Sequence, residues 1–324
     1  VINKIYPNIY RQEITLPNNP LKALNSYIIT SKNKNLIIDT GFNRRECKEV
    51  FMENIKKLNI DLSKTELFIT HLHSDHSGLA AELSKEVQKV YASRYDGKVI
   101  NNMTSWEYWY RLEDFKKVFD LGKDDVSLKD HPGYKFSSKE IINFHEVKQG
   151  DIINIGEYSF EVTEIPGHTP DQVGLYEKEH KLLFCGDHIL DRITPNIAFW
   201  TYEKDMLSIY FESLKKIYEY DIEKIFTAHR GQVKDYRQRI KELFKHHEKR
   251  LNEVRSIIKN CKHSVRDTAS KMDWELRYDN WKEFPNAQKW FATEEAMSHL
   301  EYLFFNGEAS KTMEDGILYY KLEG

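Results

Sequence analysis

Cysteine is scarce in this chain of 324 residues: Cys47, Cys185 and Cys261 are scattered and odd in number. That excludes a disulfide framework and fits a reducing compartment. Cys185 closes an apolar run and reads as a small buried side chain. Long apolar runs are missing too; no window approaches the roughly twenty residues that a membrane span needs, so no membrane partner is expected. The opening VINKIYPNIYRQEITLP lacks a basic-then-apolar leader pattern, and a cytoplasmic location is expected. Neither sign of charge dominates, with 48 Lys and Arg against 51 Asp and Glu and a net charge of −3. Such a balance gives no general attraction to nucleic acid or anionic membranes. Asp39 in LIIDTG carries the Asp-Thr-Gly of aspartic proteases, but without a second copy that chemistry is excluded.

What the chain does have is histidine in a particular arrangement. FITHLHSDHSG places His71, His73, Asp75 and His76 within six residues. Three imidazoles and a carboxylate that close are costly to keep together unless a cation binds them. Three further polar residues follow, each at the end of an apolar run that reads as a short buried strand: His168 in PGHTP, Asp187 in FCGDH and His229 in FTAHRG. TELFIT would deliver His71 to a sheet rim, and Ser74 or Ser77 would cap a helix beginning at SGLAAELSKE. His71, His73 and His168 would make one three-nitrogen metal site, and Asp75, His76 and His229 a second, with Asp187 reaching both. Two cations sharing a water would turn it into hydroxide near neutral pH.

With these motifs the chain resembles the metallo-β-lactamase-fold superfamily. The resemblance covers about the first 235 residues and rests on ALNSYIITSKNKNLIIDTG, HLHSDHSG, GHTPDQVGLY, LLFCGDHIL and TAHRG. GDHILDRITPNI resembles the branch whose members carry a small winged-helix-like C-terminal domain. The resemblance implies an α/β (α+β) fold, an αββα sandwich with two metals at one edge, held by His71, His73, Asp75, His76, His168, Asp187 and His229. It also implies that Asp39 lies under the metal loop and orients it. A bridging aspartate such as Asp187 resembles glyoxalase II, lactonases and RNA-processing members; true β-lactamases lack it. Flavodiiron relatives carry Glu where this chain has His73, which disfavours redox chemistry. Thr169 and His188 are candidates for supporting the ligands, or for a turn cap and a backbone-bonded strand end. His131, His145, His246, His247 and His299 read as surface or packing residues.

The expected organisation is a catalytic unit over 1–235 and a second unit over 236–324. Between Arg94 and about Gly150 an insertion interrupts the strand pattern. SWEYWYRLEDFKKVF puts Trp106, Trp109, Tyr110, Phe115 and Phe119 on one helix, which would form a lid or pocket wall, or pack the insertion down. Strands resume with IINI, YSFEVTEI, QVGLYE and KLLFCG. In the second unit YRQRIKELFKHHEKRLNEVRSIIKN reads as one long helix, SVRDTASKM as a short one, and TEEAMSHLEYLFF as a third capped by Thr293. A hairpin turning at Asp315-Gly316 closes it. From Arg239 to Gly324 there are fifteen basic and fifteen acidic residues, a zero balance that argues against a groove-binding role. The basic stretch KELFKHHEKR reads as solvated or as a substrate or dimer surface, leaving a homo-oligomer open.

The expected activity is dinuclear metal-dependent hydrolysis of an ester-type bond, a thioester or lactone, in a small or medium organic substrate. A metal-bridging hydroxide would be the nucleophile, with Asp75 orienting it. A metal-dependent endoribonuclease is the alternative, and a non-catalytic, metal-stabilised interaction protein a third. Histidine and carboxylate ligands suit two zinc ions first, with iron and manganese compatible.

Overall fold

The computed structural model describes residues 1–274, 278 and 280–324. A first sheet contains, in spatial order, β1 (Ile2–Tyr6), β2 (Ile9–Thr15), β3 (Ala23–Ile29), β4 (Asn35–Ile38), β5 (Thr65–Phe68), β6 (Lys89–Ser93) and β7 (Phe144–Val147). β1 to β4 pair antiparallel, and β4 to β7 run parallel. Parallel strands are covered on both faces, so NLII and TELF are buried throughout and read as continuous runs. Helix α1 (Arg45–Lys57) crosses from β4 to β5 and turns Cys47, Phe51 and Ile55 inward at four-residue spacing.

After β5 the metal-loop sequence folds into two single turns, α2 (Ser74–Ser77) and α3 (Ala80–Leu83). Neither serine caps a helix. His73 occupies the cap position of α2, and Ser77 Oγ donates to the carbonyls of Leu72 and His73, both at 3.1 Å. The loop is pressed against its neighbours at Gly78, where a Cβ would lie 2.4 Å from the Asn43 amide nitrogen, so only glycine fits. The insertion supplies α4 (Arg94–Asn102), α5 (Trp106–Val118) and α6 (Pro132–Phe136) before β7. Its aromatics divide: Trp109 and Phe119 are buried, whereas Trp106 and Tyr110 stay exposed.

The second sheet has the order β12-β11-β10-β9-β8, with β8 (Ile152–Ile155), β9 (Tyr158–Glu164), β10 (Val173–Glu177), β11 (Leu182–Gly186) and β12 (Lys224–Thr227). α7 (Met206–Tyr218) makes the crossover between the parallel pair β11 and β12. The two sheets face each other across an apolar layer that includes Tyr27, Ile29 and Phe68 from one side and Phe160, Leu175 and Phe184 from the other. α1 and α7 cover the outer faces within a second apolar cluster, which makes the fold an αββα sandwich.

The remaining chain forms α8 (Tyr236–Ile258), β13 (His263–Ser264), α9 (Val265–Ala269), α10 (Asn286–Phe305), β14 (Ala309–Glu314) and β15 (Ile317–Leu322), with sheet order β13-β15-β14. α10 begins well before Thr293, which is buried in mid-helix. Pro285 occupies the cap position, and Trp290, Ala292, Ala296 and Met297 bury against the core, so packing extends the helix upstream. The hairpin turns at Asp315 and Gly316, both at positive φ. The C-terminal unit also fastens the insertion. The buried Asp124 carboxylate accepts from Arg266 Nε at 2.8 Å and Trp281 Nε1 at 3.0 Å, with Lys289 Nζ at 3.3 Å. Asn286 Nδ2 donates to the Asp125 carbonyl at 2.6 Å.

Candidate metal centre

Four strand ends deliver the seven histidine and aspartate side chains. The metal loop follows β5, His168 follows β9, Asp187 comes directly after β11, and His229 lies just past β12. Carboxyl ends of strands are where open α/β sheets gather ligands, because the crossovers leave that rim uncovered. Gly167 allows the turn before His168: its φ is 137°, and a Cβ there would meet Tyr210 of α7 at 2.5 Å.

The side chains converge into three overlapping trios whose donor atoms all lie within 4.8 Å of one another: His71, His73 and His168; His71, His76 and Asp187; Asp75, His76 and His229. His71 Nε2 is 3.1 Å from His73 Nδ1, and His229 Nε2 is 3.2 Å from Asp75 Oδ2. Asp187 Oδ1 lies 3.6 Å from His76 Nε2 and 3.5 Å from His229 Nε2, and its Oδ2 lies 3.7 Å from His168 Nε2. Ligands held about 2 Å from one tetrahedral cation are separated by about 3.3 Å, so these spacings match the edges of coordination polyhedra. The Nε2 atoms of His76, His168 and His229 and Oδ1 of Asp187 are buried without a hydrogen-bond partner. Orphaned lone pairs gathered around the Asp187 carboxylate fit divalent cations.

Four imidazoles are oriented through their outer nitrogens. His76 Nδ1 lies 2.7 Å from Asp39 Oδ2, His168 Nδ1 2.6 Å from the Asn196 carbonyl, and His229 Nδ1 2.8 Å from the Ala23 carbonyl. His71 Nδ1 faces Thr70 Oγ1 at 3.0 Å, and that hydroxyl donates to Asp39 Oδ2 at 2.8 Å. Protons on Nδ1 leave the Nε2 lone pairs free to face inward. Asp39 itself sits in the left-handed region at φ 61°, a conformation costly for a non-glycine residue and found where surrounding contacts enforce it.

The field at the centre is divided. Burial, reinforced by neighbouring rings, holds His71, His73 and His168 below the usual imidazole range, with His73 at about 3. For His76 and His229 burial acts in the same direction but is outweighed by carboxylates, Asp39, Asp187 and Asp75 around His76 and the latter two around His229. Both pKa values are raised. The carboxylate side thus calls for positive charge, which a cation would supply in place of protons.

A metallo-beta-lactamase superfamily model matches residues 21–229, the span that contains every one of these side chains. The chain belongs to the metallo-β-lactamase superfamily. Membership places it among metal-dependent hydrolases. It is similar to the "probable metallo-hydrolase YqjP" of Bacillus subtilis, 23% identical over 233 residues, 68% of this chain and 72% of the relative. It is also similar to the human acyl-coenzyme A thioesterase MBLAC2, 25% identical over 176 residues, 52% of this chain; the match spans only 58% of that thioesterase. A metallo-beta-lactamase family protein of Thermus thermophilus shares the fold with a TM-score of 0.83 at 19% identity, over 99% of this chain and 100% of that one.

Around this superfamily centre the structure adds groups with no sequence signature of their own. Asp96, in the first turn of α4, accepts from the Leu72 amide at 3.1 Å and from Thr169 Oγ1 at 2.6 Å, so one buried carboxylate joins both histidine-bearing loops. Thr169 therefore holds the His168 turn indirectly, through Asp96. Trp200 donates from Nε1 to the His168 carbonyl at 3.3 Å, with its ring 6.1 Å from that of His73. His188 belongs to none of the trios; both of its ring nitrogens lack partners, and it packs edge-on to Tyr210. His145 is exposed and His131 half-buried, whereas His247 and His299 are packed inside. His246, His247 and Glu295 form another trio with ligand spacing, but the Arg250 guanidinium beside them opposes a second cation there. Cys185 is buried next to Asp187, its thiol pushed up to about 12 by burial, which makes it structural.

Proposed function

We propose that this chain is a dinuclear metal hydrolase that cleaves a thioester of a small or medium organic substrate. The observation that carries the two-metal reading is Asp187, whose Oδ1 faces His76 and His229 while its Oδ2 faces His168, so one buried carboxylate serves both sides. His71, His73 and His168 would hold one cation and Asp75, His76 and His229 the other. Two divalent ions, zinc first and iron or manganese by the same donors, supply Lewis acidity and a more acidic water when bound.

The chain's own groups set the rest of the chemistry. Despite burial, the neighbouring His76 and His229 hold Asp75 at about 2, so it stays a carboxylate and can accept a hydrogen bond from the attacking water. Trp200 gives the mouth of the centre an apolar wall beside His73. The outer nitrogens of His71, His76, His168 and His229 are already committed to Thr70, Asp39, Asn196 and Ala23, which leaves those rings no proton to lend a leaving group. A thiol of pKa about 8.5 departs as thiolate without one, whereas an amine would not. That favours thioesters, and the similarity to an acyl-coenzyme A thioesterase supports the same class.

The endoribonuclease alternative draws on the C-terminal unit, whose helix, strand, two helices and hairpin with β15 central follow a winged-helix order. Yet α10 turns inward: Lys289 is buried on Asp124, and residues 239–324 carry no net charge. Zinc-loaded protein should release thiol from acyl-coenzyme A or acyl-glutathione, followed with a thiol reagent, and leave single-stranded RNA intact. Thiol release that persists in metal-free protein, or metal-dependent RNA cleavage without thiol release, would overturn this reading.

A further inference from the structure

We infer that Asn196 and Glu295 are positioning residues through which the C-terminal helix α10 sets the ring of His168, and hence the affinity of the cation position that His168 shares with His71 and His73. This rests on the metal-centre reading above and adds to it a dependence on the C-terminal unit.

The link is continuous in hydrogen bonds. His168 Nδ1 donates to the Asn196 backbone carbonyl at 2.6 Å. The Asn196 side chain then donates from Nδ2 to the Phe291 carbonyl at 3.1 Å and to Glu295 Oε2 at 3.2 Å. Phe291 and Glu295 lie one helical turn apart on α10, so the amide spans two successive turns of one face. Asn196 belongs to a stretch between β11 and α7 without regular secondary structure, where no ladder fixes the position of its carbonyl. External ties do that work. Arg239 of α8 holds the upstream part by donating to the carbonyls of Leu190 at 2.7 Å and Ile193 at 3.0 Å. The Asn196 side chain holds the part that meets the ligand.

α10 is a firm anchor for such a tether. Trp290 Nε1 bonds the Ser127 carbonyl, Lys289 pairs with Asp124, and Glu295 is 8% exposed. The other three oriented imidazoles use partners inside the sandwich, Asp39, Thr70 and the Ala23 carbonyl. His168 alone among the four is tied to a carbonyl that is itself tied to the C-terminal unit. Partners of this kind fix the ring and tautomer, and removing them typically weakens metal binding by about 10- to 100-fold. Loss here is one step further removed, so the lower end of that range is expected.

The test is a competition titration of the intact chain with Co2+ or Zn2+ against a chromophoric chelator, resolving two binding steps, with the Co2+ ligand-field spectrum as a second readout. Asn196→Ala leaves the carbonyl in place but cuts the tether. It should weaken one step by about tenfold, leave the other within about twofold and alter the Co2+ spectrum. Glu295→Ala should shift the same step in the same direction, while Glu295→Gln, which keeps an acceptor for the amide, should restore it to within about threefold. A general loss of packing would move both steps and would not be rescued by glutamine; that result, or a well-folded Asn196→Ala with both affinities and the spectrum unchanged, overturns the inference. Wild-type protein that binds no metal would instead sink the metal-centre reading itself, so the two failures are distinguishable.

Discussion

The centre around His71, His76, His168 and His229 and the group formed by His188, His247 and His299 are both buried, and both leave ring nitrogens without a partner. They differ in what surrounds them. The first is ringed by the carboxylates of Asp39, Asp75 and Asp187, and two of its imidazoles are pushed above the ordinary range. The second is strung along Tyr210, with rings 5.1 Å and 5.5 Å from it, and has Arg250 nearby; its neighbouring carboxyl at ligand spacing, Glu295, is pushed up to about 7 by burial and so carries little negative charge. Burial, with neighbouring positive charge, depresses His188 and His299 to about 3 and His247 well below its usual value. Clustered histidine is thus no sufficient sign of a metal site; the sign of the neighbouring charge separates a centre that wants cations from one that excludes them.

The largest effect should come from removing the charge that both sides of the first cluster share. Asp187→Asn is expected to lower metal-dependent thioester hydrolysis by more than about a hundredfold, because ligand loss exceeds the effect of losing an outer partner. Steady-state kinetics with metal analysis would check it, and full activity with two bound metals would erase the distinction between the clusters. Next is Asp39→Asn, which keeps the shape beneath the loop but removes the negative charge facing His76 and Thr70. Metal affinity should fall by about 10- to 100-fold in a chelator competition, with far-UV circular dichroism unchanged.

The smallest effect is expected in the second cluster. His299→Leu should leave metal content and hydrolysis as they are and should change the acid response of stability. In the unfolded chain an imidazole takes its proton near pH 6.5, but folded His299 does so only at about 3. The unfolded state therefore binds more protons in that window, and stability present above 6.5 is lost as pH falls toward 3. Replacing His299 should flatten that decline by up to about 1.4 kcal/mol per pH unit, read from urea unfolding of metal-free protein. A steeper decline in the variant, or loss of metal, would blur the contrast.

The first cluster was legible in the sequence because its residues are chemically marked and sit at ends of apolar strands. The demand for glycine at 78 and 167 was not legible, because the contacts that require it, with Asn43 and Tyr210, exist only in the fold. Asp96 was not legible: it is one acidic residue in an ordinary helical first turn, and only the tertiary fold brings it to Leu72 and Thr169. Nor was Asn196, since its contact with His168 uses a backbone carbonyl that any residue could provide. Thr293 followed by two glutamates resembled a helix start, yet burial of Trp290 and Ala292 carried α10 back to Asn286. Ser74 and Ser77 looked like caps, but the loop spends its polar groups on shaping the ligand turn. Local signals failed where packing or the centre made competing demands.

Zinc titration of the intact, metal-stripped chain, with bound metal counted per polypeptide, tests the contrast most directly. Two equivalents are expected, at least one of them lost in Asp187→Asn and both kept in a His247→Leu, His299→Leu double variant. Fewer than two equivalents, or a third that disappears with His247 and His299, would contradict it.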